Sequence, residues 1–264
     1  MSQSNTKQVY SNLTGRTAII SGASRGIGEA TARLFASAGA NVVLCARSVA
    51  DINRIAKEIN SIEHQGSALA VSCDVADYQA VKAVIEKSVN EFGKIDILIN
   101  NAGVIQPIAR FEDSDPAAWS AAFDINLKGV YNTMHASFNE LKRNEGVIVN
   151  ISSGAATSAL EGWSHYCSSK AAAFSLTKCA HEEWAALGIR TVGLSPGTVA
   201  TQMQIDIKKS AMNIVSTLDW ESHVSTETVA QAIAWLTTDA AKKHDGTDVS
   251  LRNVEIRDSI GLDV

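Results

Sequence analysis

Tyr166 and Lys170 stand four residues apart where a helical pattern begins, so both side chains project from one helix face. A phenol with a pKa near 10 exchanges protons poorly at neutral pH, and a nearby ammonium favours its ionised form. A tyrosine tuned this way protonates a carbonyl oxygen as the carbon is reduced, or takes the proton from an alcohol in reverse. The pair alone proves little, because most Tyr-x3-Lys pairs on helices are plain surface arrangements. Its company matters more. Ser152 and Ser153 close the apolar run Ile148-Val-Asn-Ile151. A hydroxyl there holds a substrate oxygen and the charge that develops on it, although either serine would also serve as a simple turn residue.

A second group sits near the start of the chain. The run Thr17-Ala-Ile-Ile-Ser21 leads into Gly22-Ala23-Ser24-Arg25-Gly26-Ile27-Gly28, which opens a helix. Such a turn lets the backbone approach a pyrophosphate, which the free N–H groups of the helix N-terminus attract. Gly22 allows the tight turn, Gly26 the close approach, and Gly28 the packing of helix on strand. The spacing is G-x3-G-x-G rather than G-x-G-x-x-G. Where a dinucleotide lacks the 2′-phosphate, an acid near the end of the second strand grips the ribose. Ala46 stands in that place, followed by Arg47. With Arg25, Arg47 offers charge-assisted hydrogen bonds to a 2′-phosphate, so the expected cofactor is NADP(H).

The elements that must position these groups alternate between apolar runs and helical patterns, the signature of a doubly wound parallel sheet with crossover helices. Strands are predicted at Thr17–Ser21, Asn41–Cys45, Leu69–Ser72, Ile95–Ile99, Gly146–Ile151, Ile189–Leu194 and Asp248–Leu251. Helices are predicted over Gly26–Ala38, closed by Gly39, over Ser164–Gly188 with Ser164 as N-cap, and near Thr226–Thr238. Ile52, Ile55, Ile59 and Ile62 mark one helix face; Val81, Val84, Ile85 and Val89 mark another. Without internal repeats or low-complexity linkers, the expectation is one α/β Rossmann domain over residues 1–264. It carries a polar N-terminal extension at 1–14 and a substrate lid at about 201–224.

Asp74-Val75 follows the third strand and Asn100-Asn101-Ala102-Gly103 the fourth. With the glycine turn, Asn126, Ser153, Tyr166-x3-Lys170 and Pro196-Gly197, the chain resembles the compact branch of the short-chain dehydrogenase/reductase family over nearly its whole length. The resemblance implies a catalytic set of Asn126, Ser153, Tyr166 and Lys170, with Asn126 anchoring a water that carries protons from the lysine. Cofactor contacts are implied for Gly22, Ser24, Arg25, Gly26, Ile27, Gly28, Arg47, Asp74, Val75, Asn100, Ala102 and Gly103. Pro196, Gly197, Val199 and Thr201 would flank the nicotinamide, which Tyr166 and Lys170 also meet. The ending Gly246-Thr-Asp-Val-Ser-Leu-Arg-Asn253 departs from the Asp-Gly-Gly common among relatives.

A net charge of -5 offers no basis for nucleic-acid binding. No apolar run is long enough for a membrane span, and the polar first fifteen residues do not read as a signal peptide, so the expected location is cytoplasmic. Cys45, Cys73, Cys167 and Cys179 show no metal spacing, nor do the six histidines; no metal is expected. Leu160, Trp163 and Met203, with His165, Ile207, Met212, Ile214 and Trp220, suggest an apolar substrate wall. An apolar or aromatic ketone or diketone would fit it, by similarity to the sepiapterin- and benzil-type reductases. The alternatives are a small polyol, a 3-oxoacyl substrate, or a non-catalytic NADP(H)-binding sensor. A homodimer or homotetramer is expected, formed through the helix near Asn126 and the one from Ser164, which carries Ala171, Ala172, Ala173, Phe174 and Trp184.

Overall fold

The computed structural model describes residues 13–63 and 66–262. Seven strands form one parallel sheet: β1 (Thr17–Ser21), β2 (Asn41–Ala46), β3 (Ala68–Ser72), β4 (Ile97–Asn100), β5 (Val147–Ile151), β6 (Arg190–Ser195) and β7 (Asp248–Ser250). Their order across the sheet is β3-β2-β1-β4-β5-β6-β7. The order reverses direction between β1 and β4, the place where open sheets of this type bind ligands beyond the strand ends.

Strand residues alternate between two packed layers, as the two-residue period of a strand requires. Ile20, Val42, Leu44, Ile97, Ile99, Val147 and Val149 face one layer. On that side lie α1 (Gly26–Ser37), α2 (Val49–Asn60) and α8 (Thr226–Leu236), which contribute Phe35, Ile55 and Ile233. Ile19, Val43, Leu98 and Ile148 face the other side. There they meet α3 (Tyr78–Phe92), α5 (Gly129–Arg143) and α6 (Ser164–Trp184) through Val84, Met134 and Ala180. With both faces covered, the strands read as nearly unbroken apolar runs.

Several elements differ from expectation. Ile62 lies past the end of α2 and is exposed, because the helix stops at Asn60. Asn60 instead pins the start of β3 through both amide atoms, at 2.9 and 2.7 Å from Ala68 O and N. Ser164 does not cap α6; Trp163 occupies the cap position and the Ser164 hydroxyl accepts from Trp119 Nε1 at 3.0 Å. The same helix ends at Trp184, and a 3-10 turn over Ala185–Leu187 carries the chain to Gly188. Around Asn126 the chain enters α4 (Pro116–Phe123), loosens into a π segment at Asp124–Lys128 and resumes as α5. Gln202–Ser210 forms α7 and Val254–Ile260 forms α9, two short helices not predicted. Residues 1–12 of the expected extension lie outside the described residues, while Leu13 is fully buried in the core.

Candidate active site

The glycine turn follows β1 directly. Gly22 and Gly26 have φ of +65° and +59°, a left-handed backbone that side chains disfavour. Gly28 is excluded from carrying a side chain by space: a Cβ there would stand 2.4 Å from Gly22 O and 2.7 Å from Asn101 Nδ2. Arg25 occupies the N-cap of α1 in extended conformation and makes no side-chain cap, so the first-turn N–H groups remain available. A concave backbone, free amides and the positive helix end suit a pyrophosphate. The turn therefore fits a dinucleotide.

Asn101 belongs to the Asn100–Gly103 run expected along the cofactor, and its side chain is committed to the turn itself. Its amide donates to Ser21 O and Gly22 O at 3.0 and 3.1 Å, and its own N–H reaches Ser21 Oγ at 3.0 Å. Asn100 points elsewhere. Its side chain is buried between Asn150 Oδ1 at 2.8 Å and Thr133 Oγ1 at 2.6 Å, inside the sheet rather than on the cavity wall. Successive strand residues face opposite sides, so of two adjacent asparagines only one can hold the turn. Beyond β3, Asp74 Oδ1 accepts from Ala76 N at 3.0 Å, and Asn132 Nδ2 donates to Val75 O at 2.8 Å.

A cavity of about 1680 Å³ runs along the carboxyl ends of the strands. Apart from Gly28 and Asn100, every expected cofactor residue lies on its wall, as do Ser153, Leu160, Trp163 and Met203. His165 does not line it: the ring is buried and its Nε2 lies 2.7 Å from Ile105 O. Met212 is also off the wall, packed against Gly162, where a Cβ would come within 2.5 Å of its Cγ. Ile207, Ile214 and Trp220 are on it.

Tyr166 and Lys170 project from α6, with the ammonium 5.8 Å from the phenol ring centroid. Lys170 Nζ donates to Ile151 O at 2.7 Å. Burial pushes the ammonium down to about 8, against the raising influence of Asp248. Burial also pushes the Tyr166 phenol up to about 12, with the Ser153 hydrogen bond acting in the opposite direction. The net shift is opposite to the expected lowering, because the buried hydroxyl loses its hydration. Tyr166 thus keeps its proton at neutral pH.

Asn126 lies in the π segment, fully buried and off the cavity wall. Its Oδ1 accepts from Val104 N at 2.8 Å, and its Nδ2 donates to Val104 O at 2.9 Å and to Ser169 Oγ at 3.3 Å. It clamps the loop after β4 to α6. Gly103 lies between this amide and the lysine: a Cβ there would be 3.3 Å from Asn126 Oδ1 and 3.8 Å from Lys170 Nζ. Asp248 and Arg252 also line the cavity, and no sequence motif singled them out.

Residues 16–211 match the family model described as short chain dehydrogenase. The oxidoreductase UcpA of Salmonella typhimurium is 40% identical over 201 residues, covering 75% of each chain. The 3-oxoacyl-[acyl-carrier-protein] reductase of Thermotoga maritima is 32% identical, covering 90% of this chain and 97% of that one. Among solved structures, the 3-ketoacyl-(acyl-carrier-protein) reductase of Brucella melitensis complexed with NADH superposes with a TM-score of 0.79 at 29% identity, covering 90% of this chain and 97% of that one. Parallel sheet, glycine turn and Tyr–Lys pair agree with these likenesses, and the chain belongs to the short-chain dehydrogenase/reductase family.

Proposed function

We propose that this protein is an NADPH-preferring reductase of an apolar or aromatic ketone or diketone, with Tyr166 as general acid. The observation that carries the reading is one continuous cavity with the glycine turn at one end and Ser153, Tyr166 and Lys170 further along its wall. The nicotinamide, when bound, supplies the hydride that reduces the carbonyl carbon. Tyr166, protonated at neutral pH, then delivers its proton to the carbonyl oxygen, against the upward push of its burial. Ser153 steadies that oxygen through its hydroxyl. Lys170 keeps a positive charge beside the phenol as its proton leaves, and Asn126 holds the loop that carries Gly103 and Val104 against α6.

The preference for NADPH is supported at the far end of the cavity. Arg25, Arg33 and Arg47 line it, with Ala46 where a ribose-binding acid would stand. The carboxylate of Glu29 is already occupied there by Arg33 at 2.8 Å. For the substrate, Leu160, Trp163, Met203, Ile207, Val215, Leu218 and Trp220 make the wall mainly apolar. A 3-oxoacyl thioester is the second reading, favoured by the near-complete coverage of the Thermotoga reductase. We also read the chain as one domain that assembles as a homodimer or homotetramer in the cytoplasm through α5 and α6, where Tyr131 is half exposed.

NADPH oxidation with benzil-like diketones and acetoacetyl thioesters, and NADP+ reduction with small polyols, at matched concentration tests the reading. The diketones are expected to give the highest kcat/KM. Preference for thioesters would select the second reading, and no turnover with any carbonyl would sink both.

A further inference from the structure

Asp248 is the first residue of β7, paired in register with Gly193 of β6. The missing side chain of Gly193 makes room for the carboxylate: a Cβ there would stand 2.9 Å from Asp248 Oδ1. The acid thus reaches across β6 to the end of β5, where Ser152 Oγ donates to its Oδ2 at 2.8 Å. Oδ1 is buried and has no hydrogen-bond partner among the described residues. A buried carboxylate oxygen left unsatisfied is costly unless a charge or function accounts for it. Lys170 acts on it through its charge, without forming an ion pair. Its Nζ binds the carbonyl of Ile151, one residue before the serine that Asp248 holds. Acid and base therefore grip neighbouring residues of one short segment, and Ser153 follows immediately.

We propose that Asp248 is a positioning residue of the reductase site, acting on Lys170 through its charge and on Ser153 through the Ser152 hydroxyl. The inference rests on the reductase reading of this site. The groups around Asp248 are few. Lys170 faces it from α6, Ser152 from β5, and β6 offers only Gly193 at the paired position. Lys170 is met in turn by Asp248 and by the Tyr166 ring. Burial raises the acid to about 6 and lowers the lysine to about 8, so between those values both are ionised and attract. Without the carboxylate charge, burial alone acts on Lys170 and its proton is lost at lower pH. A neutral amine no longer steadies Tyr166 as the phenol gives up its proton.

The test compares wild type, Asp248→Asn and Asp248→Glu by NMR titration of the Lys170 ammonium, assigned with Lys170→Met, and by the pH profile of ketone reduction. Asp248→Asn is expected to move the lysine midpoint, and the alkaline limb of kcat with it, down by about one pH unit. Asp248→Glu is expected to restore part of that shift. A uniform loss of kcat with an unmoved lysine midpoint would overturn the proposal and leave Asp248 a structural residue. If Asp248→Asn does not fold, the reciprocal titration decides: Lys170→Met should raise the Asp248 carboxyl midpoint, and an unchanged midpoint counts against the coupling. Failure of the reductase reading looks different, as wild-type protein without turnover at any pH.

Discussion

The side-chain amide of Asn101 bridges the carbonyls of Ser21 and Gly22, at 3.0 and 3.1 Å, and so fastens the end of β4 to the glycine turn after β1. The bridge forms only because Gly28 has no side chain, since a Cβ there would lie 2.7 Å from the same amide nitrogen. Gly28→Ala is therefore expected to destabilise the fold by about 1–3 kcal/mol, or roughly 2–10 °C in Tm. It should also weaken NADPH binding, because the turn must open to admit the methyl. Calorimetry and fluorescence titration check both. An unchanged Tm would mean the turn yields without loss.

Cofactor choice turns on Ala46 and its arginine neighbours. Ala46→Asp adds a ribose-hydroxyl partner and sets a carboxylate against a 2′-phosphate. The ratio of kcat/KM for NADPH over NADH is expected to fall by about tenfold or more. Wild-type kinetics that already favour NADH would refute the assignment.

Tyr166 and Lys170 should separate by phenotype. Tyr166→Phe removes the proton donor and is expected to lower kcat by about a hundredfold to ten-thousandfold while NADPH affinity stays near wild type. Lys170→Met also releases the Ile151 carbonyl, so both kcat and cofactor affinity should drop. A Tyr166→Phe enzyme that retains most of its kcat would remove the tyrosine from the chemistry.

What was legible in the chain was whatever repeats locally. Ile19 and Ile20 belong to opposite layers because strand periodicity is two, and that alternation is visible in any five-residue run. The glycine turn and the Tyr–Lys spacing are local as well. Asn100 and Asn101 were not separable, because which one faces the turn depends on the register of β4 against β1. The N-cap expected of Ser164 lost to Trp119, a partner 45 residues away. Asp248 was invisible as a site residue for the same reason: its hydrogen bond to Ser152 spans 96 residues, and a single acid on a short strand carries no pattern. The high phenol of Tyr166 follows from burial, which spacing does not encode.

The strand order has a consequence for how the protein comes into being. Gly22, Arg47, Asp74 and Asn101 lie on or beside β1 to β4, all within the first 103 residues, so the nucleotide end of the cavity is specified early in synthesis. The wall around Tyr166 needs β5 and β6, and its acid arrives only with β7, among the last elements of the chain. A domain folds as a unit, however, and α1, which opens at the glycine turn, packs against α8 near the end of the chain. The nucleotide end of the cavity therefore gains its support only when the catalytic end is also present, and the two are completed together.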